Sequence, residues 1–323
     1  MSIKNLSIEN FTVFKNINID FSPGINILIG ENGTGKTHLL KLLYVYCNAY
    51  FDFDGPVQHK SFSHGLLDAF QNTPSKELIR WQANKAHVEI DGCQIEINDK
   101  NSNKEKCKVS SAYDAIYIPS KDMLTHSGIE HDFRSRMLPF DSTQIDILNK
   151  AKNHRLRYLA PEKESVLKKI ADVLDGEIKQ VAEKFIVISK NGHNIRFETE
   201  SEGRKKFALL YQLLLNQPLG EGTVLLWDEP EANVNPKLVS NIVEILFELA
   251  RLGVQIFLAT HDYNLMKYFN VKKNNSDKIA FISLYKTADG VAYESEEDYS
   301  LLEHNSIVEA SIKLLEDDLD GGL

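Results

Sequence analysis

Gly30-Glu31-Asn32-Gly33-Thr34-Gly35-Lys36-Thr37 is a complete G-x-x-x-x-G-K-[ST] stretch lying between an apolar run and an amphipathic one. Ile25-Asn26-Ile27-Leu28-Ile29 before it reads as a buried strand, and Leu39, Leu40, Leu42, Leu43 and Val45 after it as one helix face. Gly33 and Gly35 let the backbone bend so that successive N–H groups face phosphate oxygens, and a helix starting near Lys36 adds its positive end. Lys36 then serves as a point charge for the β- and γ-phosphates, and the Thr37 hydroxyl as a ligand of Mg²⁺. The whole stretch from Gly30 to Thr37 is therefore expected to bind a nucleoside triphosphate. A Gly-rich strand-to-helix turn without chemistry is the alternative, and a second motif decides between them.

That motif is Val224-Leu225-Leu226-Trp227-Asp228-Glu229-Pro230, an apolar strand ending in two carboxylates. Asp228 is expected to hold Mg²⁺, directly or through water, and Glu229 to polarise the attacking water. Ala232-Asn233-Val234-Asn235-Pro236 follows, with Asn235 and Pro236 as N-cap and first residue of a helix from Lys237 to Arg251. Val254 to Ala259 reads as another buried strand, delivering His261 at its end, where a neutral imidazole can donate to a γ-phosphate. Upstream, Phe185 to Ser189 and His193 to Glu198 form a hairpin around Lys190-Asn191-Gly192. It leads into Ser201-Glu202-Gly203 and a helix from Arg204 to Leu215, whose N-terminus offers a hydroxyl and backbone N–H donors.

Composition sets the frame. At 323 residues with 42% hydrophobic content, the chain can bury one large core or two ordinary ones. No apolar run approaches the length of a membrane span, and Met1-Ser2-Ile3-Lys4 has no secretory pattern, so a cytoplasmic location is expected. Cys47, Cys93 and Cys107 match neither a disulfide framework nor a metal pattern and are expected as reduced thiols. The net charge of −9 excludes a protein that is basic all over. The densest basic region includes Arg155, Arg157, Lys168 and Lys169, a solvated helix face or a nucleic-acid surface.

Read along the chain, Ile3 to Ile8, Phe14 to Phe21 and Ile25 to Ile29 are strands, followed by an inserted lobe from about 51 to 86. His87 to Ile90 and Gln94 to Ile97 form a hairpin about Asp91-Gly92, and Ala115 to Ile118 a buried strand. A helical lobe spans about 121 to 182, and the half from 222 to 323 runs from the acidic strand to a closing amphipathic helix.

Leu6-Ser7-Ile8-Glu9-Asn10-Phe11, Phe14 and the stretch from Phe21 to Lys36 resemble the opening of ABC-type ATPases of the SMC-like and OLD-like kind. The resemblance implies one P-loop α/β domain over 1–323, with a mainly parallel core sheet, an antiparallel β lobe and the helical lobe. It implies adenine stacking by Phe11 or Phe14, unless both are core aromatics. Ser201 and Gly203 then resemble a signature element, reduced to Ser-x-Gly, that caps the γ-phosphate bound on the opposite subunit. In such families a Gln follows the strand equivalent to Ala115–Ile118; here Ser120 or Asp122 stands in, or Ser120 caps a helix. The cofactors implied are ATP and Mg²⁺, the catalytic groups Lys36, Glu229 and His261, and the assembly an ATP-sandwich homodimer.

Similar compact heads occur in anti-phage defence systems, where they gate a separate effector such as a nuclease; with about sixty residues after His261 and no such motif among them, a fused Toprim domain is not expected. An SMC-type repair clamp would want long heptad arms, and a transporter subunit the Gln and the full signature. A ring-forming remodeller would use an arginine finger, and a slowly hydrolysing scaffold would need none of these.

Overall fold

The computed structural model describes residues 2–49, 62–71, 73–98, 104–106, 113–126, 140–152, 160–181, 184–216 and 219–321. Its strands are β1 (Asn5–Phe11), β2 (Phe14–Asp20), β3 (Ile25–Gly30), β4 (Lys85–Ile90), β5 (Cys93–Asn98), β6 (Lys104–Lys106) and β7 (Asp114–Ile118). They continue with β8 (Gly176–Val181), β9 (Lys184–Ser189), β10 (Asn194–Arg196), β11 (Thr223–Asp228), β12 (Gln255–Thr260), β13 (Ile279–Thr287) and β14 (Gly290–Glu296). The helices are α1 (Lys36–Asn48), α2 (Phe62–Ala69), α3 (Ser75–Leu78), α4 (Ser142–Lys152), α5 (Pro161–Leu174), α6 (Glu202–Leu215), α7 (Pro236–Arg251), α8 (Tyr263–Lys272) and α9 (Ser306–Gly321).

A six-stranded sheet in the order β14-β13-β3-β12-β11-β7 organises the molecule. Its five inner and β7-side strands are parallel, and only β14 runs antiparallel, against β13. Strands buried on both faces read as continuous apolar runs, and β3, β11 and β12 are buried at every position. The two-residue period divides them between two cores. Ile25, Ile27, Ile29, Leu225, Trp227, Ile256 and Leu258 meet helices α5 to α8. Leu28, Val224, Leu226, Phe257 and Ala259 meet α1 and the antiparallel lobe on the other face. Full burial of each such side chain is worth about 1.5–3 kcal/mol, so the sheet that carries the loops is firmly held.

The antiparallel lobe is a five-stranded sheet, β2-β1-β4-β5-β6, and a three-stranded sheet, β10-β9-β8, lies beside the helices. Asp91 and Gly92 take φ of 48° and 80°, the pair of left-handed residues that a tight hairpin turn requires. Gln255 joins the N-terminus to β12: its side chain accepts from Ile3 N and donates to Ile3 O, each at 2.8 Å.

Several expectations need correction. The lobe read as helical over 121–182 holds α4 and α5, but its described part opens on a short 3-10 turn, Leu124–His126, and closes on strand β8. Asp175, at φ 48°, ends α5 and turns the chain into β8, whose alternation buries only Gly176 and Ile178 and so leaves a weak sequence signal. In the inserted lobe, residues 50–61 and 72 lie outside the described residues, and α3 ends at Leu78, where Ile79 turns away to bridge Phe11. Cys47 is a buried free thiol, whereas Cys93 is disulfide-bonded; Cys107 lies outside the described residues. The closing helix α9 extends to Gly321 and buries only Ile307, leaving Ile312, Leu314, Leu315 and Leu319 exposed.

Candidate active site

Three strand ends meet at one edge of the main sheet. β3 releases its chain at Gly30 into the loop that becomes α1. Beside it, β12 ends before His261, and β11, next along, ends at Asp228. Parallel strands in this order present their C-terminal ends together, which is where α/β sheets place ligands.

The loop is built around Gly35, the N-cap of α1 at φ 91°. A Cβ there would lie 2.5 Å from Phe14 Cζ, so the left-handed turn and the close approach both demand glycine. Phe14 is thereby the floor under the loop. It is fully buried, as is Phe11, which meets Phe70 edge-on at 6.1 Å. Neither ring offers a face to a base; the expectation of adenine stacking gives way to the core role, because these side chains pack the antiparallel lobe against the loop. Thr34 is also turned inward, its hydroxyl donating to Glu31 O at 2.9 Å. Glu31 is exposed and pairs with Lys286 of β13 at 3.0 Å.

Lys36 folds back over the loop, its Nζ donating to Gly30 O at 2.6 Å and Glu31 O at 3.0 Å. Burial holds its pKa below the ordinary lysine value, while Asp228, Glu229, Glu231 and Glu31 pull it upward. The Thr37 hydroxyl donates to Asp228 Oδ2 at 2.9 Å, and the Tyr117 hydroxyl reaches the same oxygen at 3.4 Å. Burial raises the Asp228 pKa, the hydrogen bond from Thr37 opposes this, and the neighbouring Glu229 charge adds to it. A buried carboxylate with a hydroxyl beside it forms an oxygen-only donor set of the kind Mg²⁺ prefers.

Glu229 follows at φ 51°, in the left-handed region that costs a non-glycine residue about 1–3 kcal/mol. Its N–H donates to Ala259 O at 2.8 Å, which anchors the turn to β12. His261 Nδ1 lies 3.2 Å from Glu229 Oε1. Glu231 is buried; its Oε1 accepts from Thr260 Oγ1 at 2.6 Å, Oε2 has no hydrogen-bond partner among the described residues, and burial raises its pKa. Asn235 caps α7 as expected, accepting from Lys237 N at 3.0 Å.

Ser201 stands at the N-cap of α6, yet its hydroxyl makes no capping bond, and Gly203 behind it is buried. In the segment after β7 the capping residue is not the expected one. Asp122, not Ser120, is the cap, accepting from Leu124 N at 3.0 Å and from the Thr125 hydroxyl. Its Oδ2 also lies 3.7 Å from Lys205 Nζ on α6. Sequence reading did not single out Lys206, Tyr117 or Glu231. Two adjacent lysines, Lys205 and Lys206, on a helix otherwise buried through Leu214 were the available signal. Of the basic segment, Arg155 and Arg157 lie outside the described residues; Lys168 and Lys169 are exposed, and Lys169 pairs with Glu248.

Comparison with known proteins finds family models, curated relatives and solved structures that resemble the chain. Residues 1–154 match the AAA ATPase domain model, and residues 111–267 the AAA domain described for the AbiEii toxin of type IV TA systems. The DNA replication and repair protein RecF of Clostridium acetobutylicum is 27% identical over 168 residues, covering 50% of this chain and 38% of that protein. RecF of Clostridium perfringens strain 13 is 22% identical over 212 residues, covering 58% of this chain and 53% of that protein. The chain thus spans about half or less of the length of these curated relatives. An Smc head bound to the C-winged helix domain of ScpA superposes with a TM-score of 0.61 at 14% identity, over 93% of this chain and 99% of that one. The SMC head domain of Thermotoga maritima gives 0.52 at 14% identity, over 92% of this chain and 100% of that one. At these identities the likeness shows a common fold. No helix among the described residues is long and apolar enough to cross a membrane.

Proposed function

We propose, on the premise that this chain is an SMC-like head of the ABC ATPase type, that it binds Mg-ATP and hydrolyses it as a nucleotide-gated dimer. The observation that carries this reading is the meeting of Thr37 with Asp228 and of Glu229 with His261 on three adjacent strand ends. Gly30 to Thr37 would wrap the phosphates, Thr37 and Asp228 would hold the metal, and the metal would supply neutralisation of phosphate charge. On binding, Lys36 exchanges the Gly30 and Glu31 carbonyls for phosphate oxygens. Glu229 orients and polarises the attacking water, while His261 leaves the Glu229 carboxylate to donate toward the γ-phosphate. Ser201 and Gly203 are the donors for the γ-phosphate held by a second copy, which agrees with a Ser201 hydroxyl that serves no cap.

In this reading the closed dimer acts in the cytoplasm as the ATPase subunit of an anti-phage defence or DNA-associated system, signalling to a separate effector such as a nuclease. The likeness to proteins named for DNA replication and repair favours a second reading, a DNA clamp. The test is the solution mass of Glu229→Gln in Mg-ATP and in Mg-ADP, with turnover of the unmutated protein alongside. An ATP-specific dimer that Ser201 replacement abolishes is expected. A mass independent of nucleotide would overturn the dimer; duplex DNA bound only by the ATP form would move the reading to the clamp.

A further inference from the structure

Lys206 lies on α6, on the turn after Ser201 and Gly203, and is nearly fully buried, at 6% exposure. Its ammonium is surrounded by the carboxylates of Glu231, Glu229 and Asp228 from the β11 end and Glu202 from its own helix. Its hydrogen bonds go to main-chain oxygens instead: Nζ donates to Glu229 O at 2.7 Å and to Pro230 O at 3.3 Å. A charged donor of this kind makes hydrogen bonds roughly twice as strong as neutral ones.

The two carbonyls belong to the turn that carries Glu229 at φ 51°. A strained, non-glycine residue persists only where its surroundings over-determine it. Here its N–H is held from β12, through Ala259 O at 2.8 Å, and its carbonyl is held from α6, through Lys206. The same helix presses on the chain a few residues later: a Cβ on Gly203 would sit 3.2 Å from Val234 Cα and 3.3 Å from Asn233 O. One rigid helix thus touches the turn before Glu231 and the loop after it, and presents Ser201 at its free end.

We propose that Lys206 is a positioning residue that ties the helix bearing Ser201 and Gly203 to the main chain of Glu229, so that docking of α6 on a second copy's nucleotide sets the water-orienting carboxylate of its own site. The proposal rests on the ATPase reading and adds a direction to it. The Ser201 end is engaged by the opposite copy's phosphate, the helix shifts as a body, and the strained turn follows because Lys206 pulls on its carbonyls.

The experiment compares Lys206→Met and Lys206→Arg with the unmutated full chain. Met keeps the apolar stem and removes the donor, whereas Arg restores it. With Mg-ATP, Lys206→Met should keep nucleotide affinity within about twofold and lose roughly 100-fold in single-turnover rate, the scale of a displaced catalytic group. Lys206→Arg should recover most of that loss. Without nucleotide, amide hydrogen exchange at Glu229, Glu231 and Ala232 should quicken in Lys206→Met only. Unchanged exchange and turnover in Lys206→Met would overturn the tie, as would equal losses in both variants accompanied by a lower melting temperature. If the unmutated chain neither binds nor hydrolyses ATP, the ATPase reading itself falls, and the exchange measurement still decides whether Lys206 anchors the turn.

Discussion

The loop half of the site and the α6 half are built on opposite plans. Around Gly35, Thr37 and Asp228 every group is already spoken for: Phe14 fills the floor, Lys36 is bonded to the loop's own carbonyls, and Thr37 meets Asp228. At the N-terminus of α6, Ser201 is exposed and its hydroxyl caps nothing. The first half is complete within one chain. The second presents donors outward, the arrangement expected of a surface whose ligand lies on another molecule.

Four variants break or sharpen that contrast, beginning with the largest effect. Glu229→Gln should lower turnover by about 10²–10⁴-fold with ATP affinity retained, the range for removing a positioned acid–base group. Affinity lost in parallel would mean that the loop half is not self-sufficient. Next, Gly35→Ala should cost about 2–3 kcal/mol, through its φ of 91° and the Phe14 contact. A urea midpoint unchanged in this protein would show that the floor is softer than it looks. Ser201→Ala is expected to lower turnover about tenfold and to leave the urea midpoint alone, since no cap is lost. Loss of about 1 kcal/mol would identify it as a helix cap, and the contrast between the halves would disappear.

The smallest effect is in pH. Burial lowers the Lys206 pKa to about 8, against the upward pull of Glu231, Glu229, Glu202 and Asp228. Between about pH 8 and the ordinary lysine range the unfolded chain holds this proton while the folded chain gives it up. Stability relative to Lys206→Met should therefore rise with pH across that window, while the ammonium contact with the Glu229 carbonyl is lost. Urea midpoints of the two proteins taken from pH 7.5 to 9.5 read the difference, and parallel curves would place the Lys206 titration elsewhere.

Much of the fold was legible because the strands around the site are buried on both faces and need continuous apolar runs, as in β3, β11 and β12. The conformation of the loop was equally plain, since Gly33 and Gly35 allow the left-handed turns found there. Phe11 and Phe14 show the limit: an aromatic beside a nucleotide loop and one beneath it have the same sequence signature, and only packing distinguishes them. Lys206 was hidden because its partners are backbone carbonyls, which no side-chain pattern announces. The cap at Asp122 was missed in favour of Ser120 for a similar reason: Asp122 holds a short turn while also facing Lys205, a residue 83 positions away that the local sequence does not include. Strand β8 failed the other way, as its two buried positions are too few for a period.

The order of the central sheet also sets a schedule for biosynthesis. β3 emerges early, but its neighbours are Ile256–Thr260 on one side and Ile279–Leu284 on the other, and the N-terminus is held by Gln255. At roughly 5–20 residues per second, those partners leave the ribosome tens of seconds after the phosphate loop does. Pairing over such separations is also slow once it becomes possible. For that interval Gly30 to Thr37 exists as a sequence on a nascent chain with an unpaired apolar strand beside it, and the loop can take its folded form only after β12 and β13 have been translated.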